Sequence, residues 1–114
     1  MIIRSSSGVR PQHLSDTGYS KVASRLLAGT RDGCNKITVR MLTLQPGGHI
    51  PREAARGERV IFVLEGSGEY VDADGFAHEM KPGDVAAVPA WEVFHMQNRS
   101  NSDLVLLISS GPNQ

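Results

Sequence analysis

The chain has 114 residues, with Lys+Arg 12 balanced by Asp+Glu 12, hydrophobic residues at 39% and charged residues at 21%. This length holds one domain of radius about 13 Å and excludes a second independent core. The balanced charge leaves no long-range field for nucleic acid or an anionic membrane, and the longest apolar runs, Val60 to Leu64 and Leu104 to Ile108, fall far short of the ~20 residues of a membrane-spanning helix.

The amino end, Met1-Ile2-Ile3-Arg4-Ser5, lacks the apolar stretch of a secretory signal, and the single Cys34 has no intrachain disulfide partner. A cytoplasmic location is expected. Residues 1–35 form an arm and first strands. Leu14, Tyr19, Val22, Leu26 and Leu27 fit a helix about as well as a strand, and the arm is read as extended. From residue 36 onward, Pro46-Gly47-Gly48, Gly57, Gly66-Ser67-Gly68, Asp74-Gly75, Lys81-Pro82-Gly83-Asp84 and Pro89 cut the chain into pieces too short for helices. The pieces are Lys36 to Gln45, Arg59 to Glu65, Glu69 to Asp72, Phe76 to Met80, Val85 to Val88, Val93 to Asn98 and Leu104 to Ser109. Strand-length segments rich in Val, Ile, Leu, Phe and Tyr with regular turn signals indicate an all-β sandwich or barrel. Because several segments are continuous apolar runs, both of their faces are expected to be covered. The economical solution over residues 36–110 is a double-sheet jelly roll, filled by side chains or open to a ligand at one end. The tail, residues 111–114, is expected to fray.

Pro46-Gly47-Gly48 followed by Val60-Ile61-Phe62-Val63-Leu64-Glu65-Gly66-Ser67-Gly68 resembles the first motif of the cupin superfamily, and Lys81-Pro82-Gly83-Asp84, Val88-Pro89-Ala90-Trp91, His95 and Asn98 resemble the second. The resemblance implies a small single-domain RmlC-like jelly-roll barrel. Metal-binding cupins carry two histidines one residue apart, a glutamate and a later histidine. Counting back from Gly66 puts Arg52 and Ala54 at the histidine positions and Arg59 at the glutamate position. Counting on from Pro89 puts Phe94 at the last, and a one-residue insertion near Trp91-Glu92 would turn His95 inward instead; that register is slightly favoured. Arginine has no lone pair to give a metal, so no metal cofactor is expected. A divalent transition metal on a shifted site of His49, Glu58 (or Glu53) and His95 is the alternative. Glu58 and Arg59 cannot both face into the barrel from one regular strand.

Two readings of Arg52-Glu53-Ala54-Ala55-Arg56-Gly57-Glu58-Arg59 stand. One is a solvated loop with surface ion pairs worth ~0–1 kcal/mol each. The other directs Arg52 or Arg59 into the barrel, where it replaces the metal's charge and takes a carboxylate or phosphate in a two-pronged contact. The candidate catalytic residue is His95; Arg52, Arg59, His49, Phe62, Trp91 and Phe94 are the candidate ligand-binding residues. The expected function is binding of a small anionic or sugar-like metabolite, possible work as a metal-independent epimerase or isomerase included. The alternatives are a metal-dependent dioxygenase or oxidoreductase using His49 and His95, and a non-catalytic structural or sensor dimer. Homodimerisation is expected because residues 1–30 show no pattern that closes their own core and an open double sheet leaves pairable edges.

Overall fold

The computed structural model describes residues 1–112. These form nine strands: β1 (Gln12–Leu14), β2 (Ser20–Ala28), β3 (Thr38–Glu53), β4 (Glu58–Glu65), β5 (Gly68–Val71), β6 (Ala77–Met80), β7 (Val85–Val88), β8 (Phe94–Gln97) and β9 (Leu104–Gly111). The strand order is β6-β5-β8-β3-β9-β4-β7, with β1 and β2 added on β3. One half of the barrel is β1-β2-β3-β9-β4-β7, the other β6-β5-β8-β3, and β3 belongs to both. Among the described residues no helix is long and apolar enough to cross a membrane.

Sharing β3 requires a bend. Its first half pairs with β2 and β9, while His49 and Ile50 pair with Gln97 and Met96 of β8. Gly47 turns the chain at φ 83°, and a Cβ on Gly48 would lie 2.8 Å from the Gln45 carbonyl oxygen and 2.9 Å from that of Lys21. Only glycine fits so close an approach. Pro46-Gly47-Gly48 therefore bends one long strand where the sequence suggested a break. Backbone bonds Gly47 N–H to Asn98 O and Asn98 N–H to Gly48 O, both 2.8 Å, keep the ladder intact across it.

Period-two alternation then decides what lies inside. On β4, Arg59, Ile61 and Val63 are buried and Val60, Phe62 and Leu64 are exposed. Inside, Leu42 and Leu44 of β3 stand beside Leu106 and Leu104 of β9, with Val63 of β4 against Leu106 on the other side. Ile61, Met96 and Val22 belong to the same core, with Ile50, Tyr70, Met80, Val88 and Phe94. Each such buried aliphatic side chain contributes ~1.5–3 kcal/mol.

The arm is extended and closes onto its own barrel. Val22 is buried, Leu14 and Tyr19 pack on the core, and β2 pairs with β3 along its length, which corrects the expectation that residues 1–30 have no pattern to close a core. Farther out, Arg4 donates from Nη1 and Nη2 to Asp32 at 2.8 and 2.5 Å and also reaches the Leu27 carbonyl, and that bond to Arg4 holds the Asp32 carboxyl down at about 2. At the other end Gly111 is the last residue of β9, paired with Glu58, so the expected fraying does not begin there; Asn113 and Gln114 lie outside the described residues. Double coverage of the apolar runs is also corrected. The outer side of β4 and β7 leaves Val60, Phe62, Leu64 and Val85 uncovered by this chain, because the alternating pattern sends half of each run outward.

Asn98 is the buried polar tie of this architecture. Its Nδ2 donates to the carbonyls of Leu44 and Ser102, both at 2.8 Å, and its Oδ1 accepts from Ser100 N at 3.0 Å and Ser100 Oγ at 2.7 Å. Asn98→Ala strands those partners and is expected to cost about 2–3 kcal/mol in urea unfolding. An unchanged midpoint would show that water replaces them at no loss.

Candidate functional site

The inward rows turn polar at one end of the barrel. Along β3 the row runs Leu44, Leu42, Arg40; along β9 it runs Leu104, Leu106, Ile108, Ser110; along β4 it runs Val63, Ile61, Arg59. At this end lies a cavity of about 300 Å³ lined by Leu14, Tyr19, Ser24, Leu42, Ile50, Glu53, Arg59, Phe94 and Ile108 among others. A wider groove of about 820 Å³ lies between β6 and β7, bordered by Asp72, Asp74, Glu79, Asp84 and Glu92. It is open and mostly acidic, with His78 at 2.7 Å from Asp72 on its border. The smaller cavity is the better candidate because it contains a buried cation.

That cation is Arg59, only 9% exposed. Its guanidinium carbon lies 4.6 Å from the centre of the Phe94 ring, and Phe94 in turn stacks on Tyr70 at 4.9 Å with 4° between the planes. Glu53 Oε1 is 3.9 Å from Nη1, close enough for charge attraction and too far for a hydrogen bond. Nε and Nη2 are buried without any acceptor. Burial first, then the Glu53 charge, push the Tyr19 phenol up.

Glu53 reaches this place through an irregularity. Ile50 pairs with Met96, yet the next pair is Glu53 with Phe94, so one extra residue is accommodated at the end of β3. A regular strand would place Arg52 opposite Phe94. The bulge puts Glu53 there, and Arg52 is exposed, donating to the Ala73 carbonyl at 3.2 Å.

The structure brings together two of the residues singled out from the sequence, Arg59 and Phe94. Arg59 is inward and Glu58 outward, as one regular strand requires. Phe94 is 3% exposed, and alternation along β8 turns His95 to the opposite face, so the register that would aim His95 inward is corrected. His49, beside the inward Ile50, lies on that outer face too, paired with Gln97. Phe62 faces out, and Trp91 is 64% exposed in a turn where its N–H bonds the Ala55 carbonyl at 2.7 Å. Neither lines the cavity. Tyr19, Ser24, Arg40 and Ser110 were missed as site residues. The signal was available in the inward rows, where polar residues cluster at matching strand ends, but reading it requires the register of β2, β3 and β9.

A metal does not fit here. Arg59 occupies the position where the resemblance calls for a carboxylate donor, Glu53 is a lone inward carboxylate, and His49, Glu58 and His95 do not converge. Among the described residues no group of three or more His, Cys, Asp or Glu is arranged to hold an ion.

This geometry defines a jelly-roll barrel with a cavity of about 300 Å³ at one end and a buried arginine in its lining. A family model described as Cupin domain matches residues 40–110, and the chain belongs to this family. Its fold is similar to that of the polyketide cyclase RemF from Streptomyces resistomycificus, at 24% identity, covering 97% of this chain and 79% of that one with TM-score 0.91. A predicted oxalate decarboxylase from Thermotoga maritima is similar at 25% identity, 99% and 100% coverage and TM-score 0.87. A sugar phosphate isomerase of the cupin superfamily from Silicibacter pomeroyi is similar at 21% identity, 94% and 73% coverage and TM-score 0.78. No curated protein sequence matches the chain.

Tyr70 offers a check on this packing. Burial, and then the Glu92 carboxylate to which its hydroxyl donates at 3.3 Å, push its phenol up to about 12 from the ordinary 10.0. The neutral phenol is the form the fold favours, so this contribution to stability is complete below pH 10 and is lost as pH rises toward 12. In an ultraviolet titration Glu92→Gln is expected to lower the Tyr70 transition yet leave it above 10, because burial is the larger cause. A transition at the ordinary value in the native protein would contradict the stacked arrangement.

Proposed function

We propose that this cupin binds a small anionic metabolite in the cavity at the polar end of the barrel, with Arg59 as the anchoring group and no metal. The observation that carries this reading is the pair of buried guanidinium nitrogens, Nε and Nη2, that meet no acceptor in the protein. A buried charge so incompletely paired lowers stability unless a ligand completes it. The isomerase and cyclase among the similar folds are compatible with chemistry in such a cavity. Proton transfer there falls to Glu53, which lies beside Arg59 and Tyr19, since His95 faces away. The dioxygenase alternative lacks converging donors, and elemental analysis of protein purified without chelators is expected to find well under one Fe, Mn, Ni or Zn per chain.

The test is a thermal-shift and calorimetric comparison with Arg59→Gln. Without ligand the variant is expected to be more stable by about 1–3 kcal/mol, since two stranded donors and a buried charge disappear. The wild type is expected to gain stability with a carboxylate or phosphate ligand, and the variant to gain none. A variant that is destabilised and still responds to the same anions would defeat the reading.

The reading includes a homodimer. Val60, Phe62, Leu64 and Val85 are joined on the outer face by Leu107, opposite Phe62, and by Met41 beside it. These six side chains carry no charge, the character of a surface that packs on a second copy. Light scattering at micromolar concentration is expected to give the mass of two chains, and Phe62→Glu that of one. A monomeric wild type would reject this.

A further inference from the structure

We infer that the ligand is a small monocarboxylate, and that Glu53 is a charge filter that disfavours dianions such as phosphate esters and dicarboxylates. The inference rests on the reading above and narrows it to a substrate class.

The unpaired edge of Arg59 is the first argument. Nε–H and the neighbouring Nη2–H lie parallel on one edge of the planar guanidinium, and their spacing matches the two oxygens of one carboxylate. These are the nitrogens left without acceptors, whereas Nη1 is turned to Glu53. One nitrogen thus faces a carboxylate, and the two-pronged edge is closed from solvent with no acceptor on it.

Charge is the second argument. The ionisable groups that line the cavity are Arg40, Arg59 and Glu53 and, neutral at ordinary pH, Tyr19. Two cations and one anion sum to a single positive charge. A monoanion brings the cavity to neutrality, while a dianion drives it negative against Glu53. Because Arg40 is exposed and the Glu53 side chain is 43% exposed, solvent softens these charges, and the filter is a preference of several-fold to tenfold.

The walls supply the third argument. Leu14, Leu42, Ile50, Phe94 and Ile108 make part of the lining apolar, and Gln12, Tyr19, Ser24 and Ser110 bring hydrogen-bonding groups to the rest. A volume of about 300 Å³ stands at the lower end of small-molecule sites. It suits the short body of a small monocarboxylate and leaves little room for a phosphorylated sugar.

Isothermal titration of the full chain at low salt with benzoate, hexanoate, succinate, inorganic phosphate and glucose 6-phosphate tests this. Benzoate or hexanoate is expected to bind about tenfold tighter than the dianions, a difference of about 1.4 kcal/mol. Arg59→Gln is expected to lose all binding. Glu53→Gln is expected to keep benzoate and strengthen phosphate several-fold, narrowing the gap. The inference is overturned if glucose 6-phosphate, phosphate or succinate binds the wild type as tightly as the monocarboxylates, or if Glu53→Gln leaves the ratio unchanged. Either result leaves Arg59 as an anion anchor intact. Absence of binding by every anion overturns the anchor as well.

Discussion

The structure depends on one strand belonging to two sheets. β3 bends at Gly47-Gly48 without losing its ladder, because the amide of Gly47 and the carbonyl of Gly48 both pair with Asn98. The bend joins the two halves of the barrel and fixes which end of each strand meets which. It also brings the end of β3, carrying Glu53, against the start of β8, carrying Phe94, so that both lie near Arg59 at the start of β4. A steric requirement at two glycines is thus upstream of the electrostatics of the cavity.

Within that frame the barrel is divided into a sealed end and a responsive one. Leu44, Leu104, Leu106, Ile61 and Val63 fill the first with side chains that have no polar atoms to satisfy. At the other end the Arg59 guanidinium lies over Phe94, which stacks flat on Tyr70, and the Tyr70 hydroxyl is tied to Glu92. The stack gives the guanidinium an aromatic face to rest against. Preorganisation of this kind costs stability in the empty protein and returns it on binding.

Much of the architecture was legible because the signals are local. Gly66-Ser67-Gly68, Asp74-Gly75 and Lys81-Pro82-Gly83-Asp84 mark turns by backbone requirements that the sequence states directly, and the strands between them lie where they were expected to within a residue or two. Arg59 was legible as an inward charge through its spacing from Gly66. What was not legible depends on register. The extra residue between Ile50 and Glu53 exchanges Arg52 for Glu53 on the inner face, and nothing in Pro51-Arg52-Glu53 announces it. The inward choice between Phe94 and His95 turned on a possible insertion at Trp91, and one residue either way reverses every side chain of β8. The outward positions of Phe62 and Val60 follow from the same parity: an apolar run does not say whether the chain itself covers both of its sides.

The arm has a consequence for how such barrels diversify. β1 and β2 lie outside the family's motif region, residues 40–110, yet Leu14, Tyr19 and Ser24 form one wall of the cavity. On the proposed reading, ligand choice is divided between a barrel whose ladders tolerate little change and an edge segment bound along one side. Substitutions in the arm can retune what the cavity accepts while the bend, the stack and the buried arginine stay in place. Two chains with the same barrel can then part company in their chemistry through a stretch of sequence that motif comparison passes over.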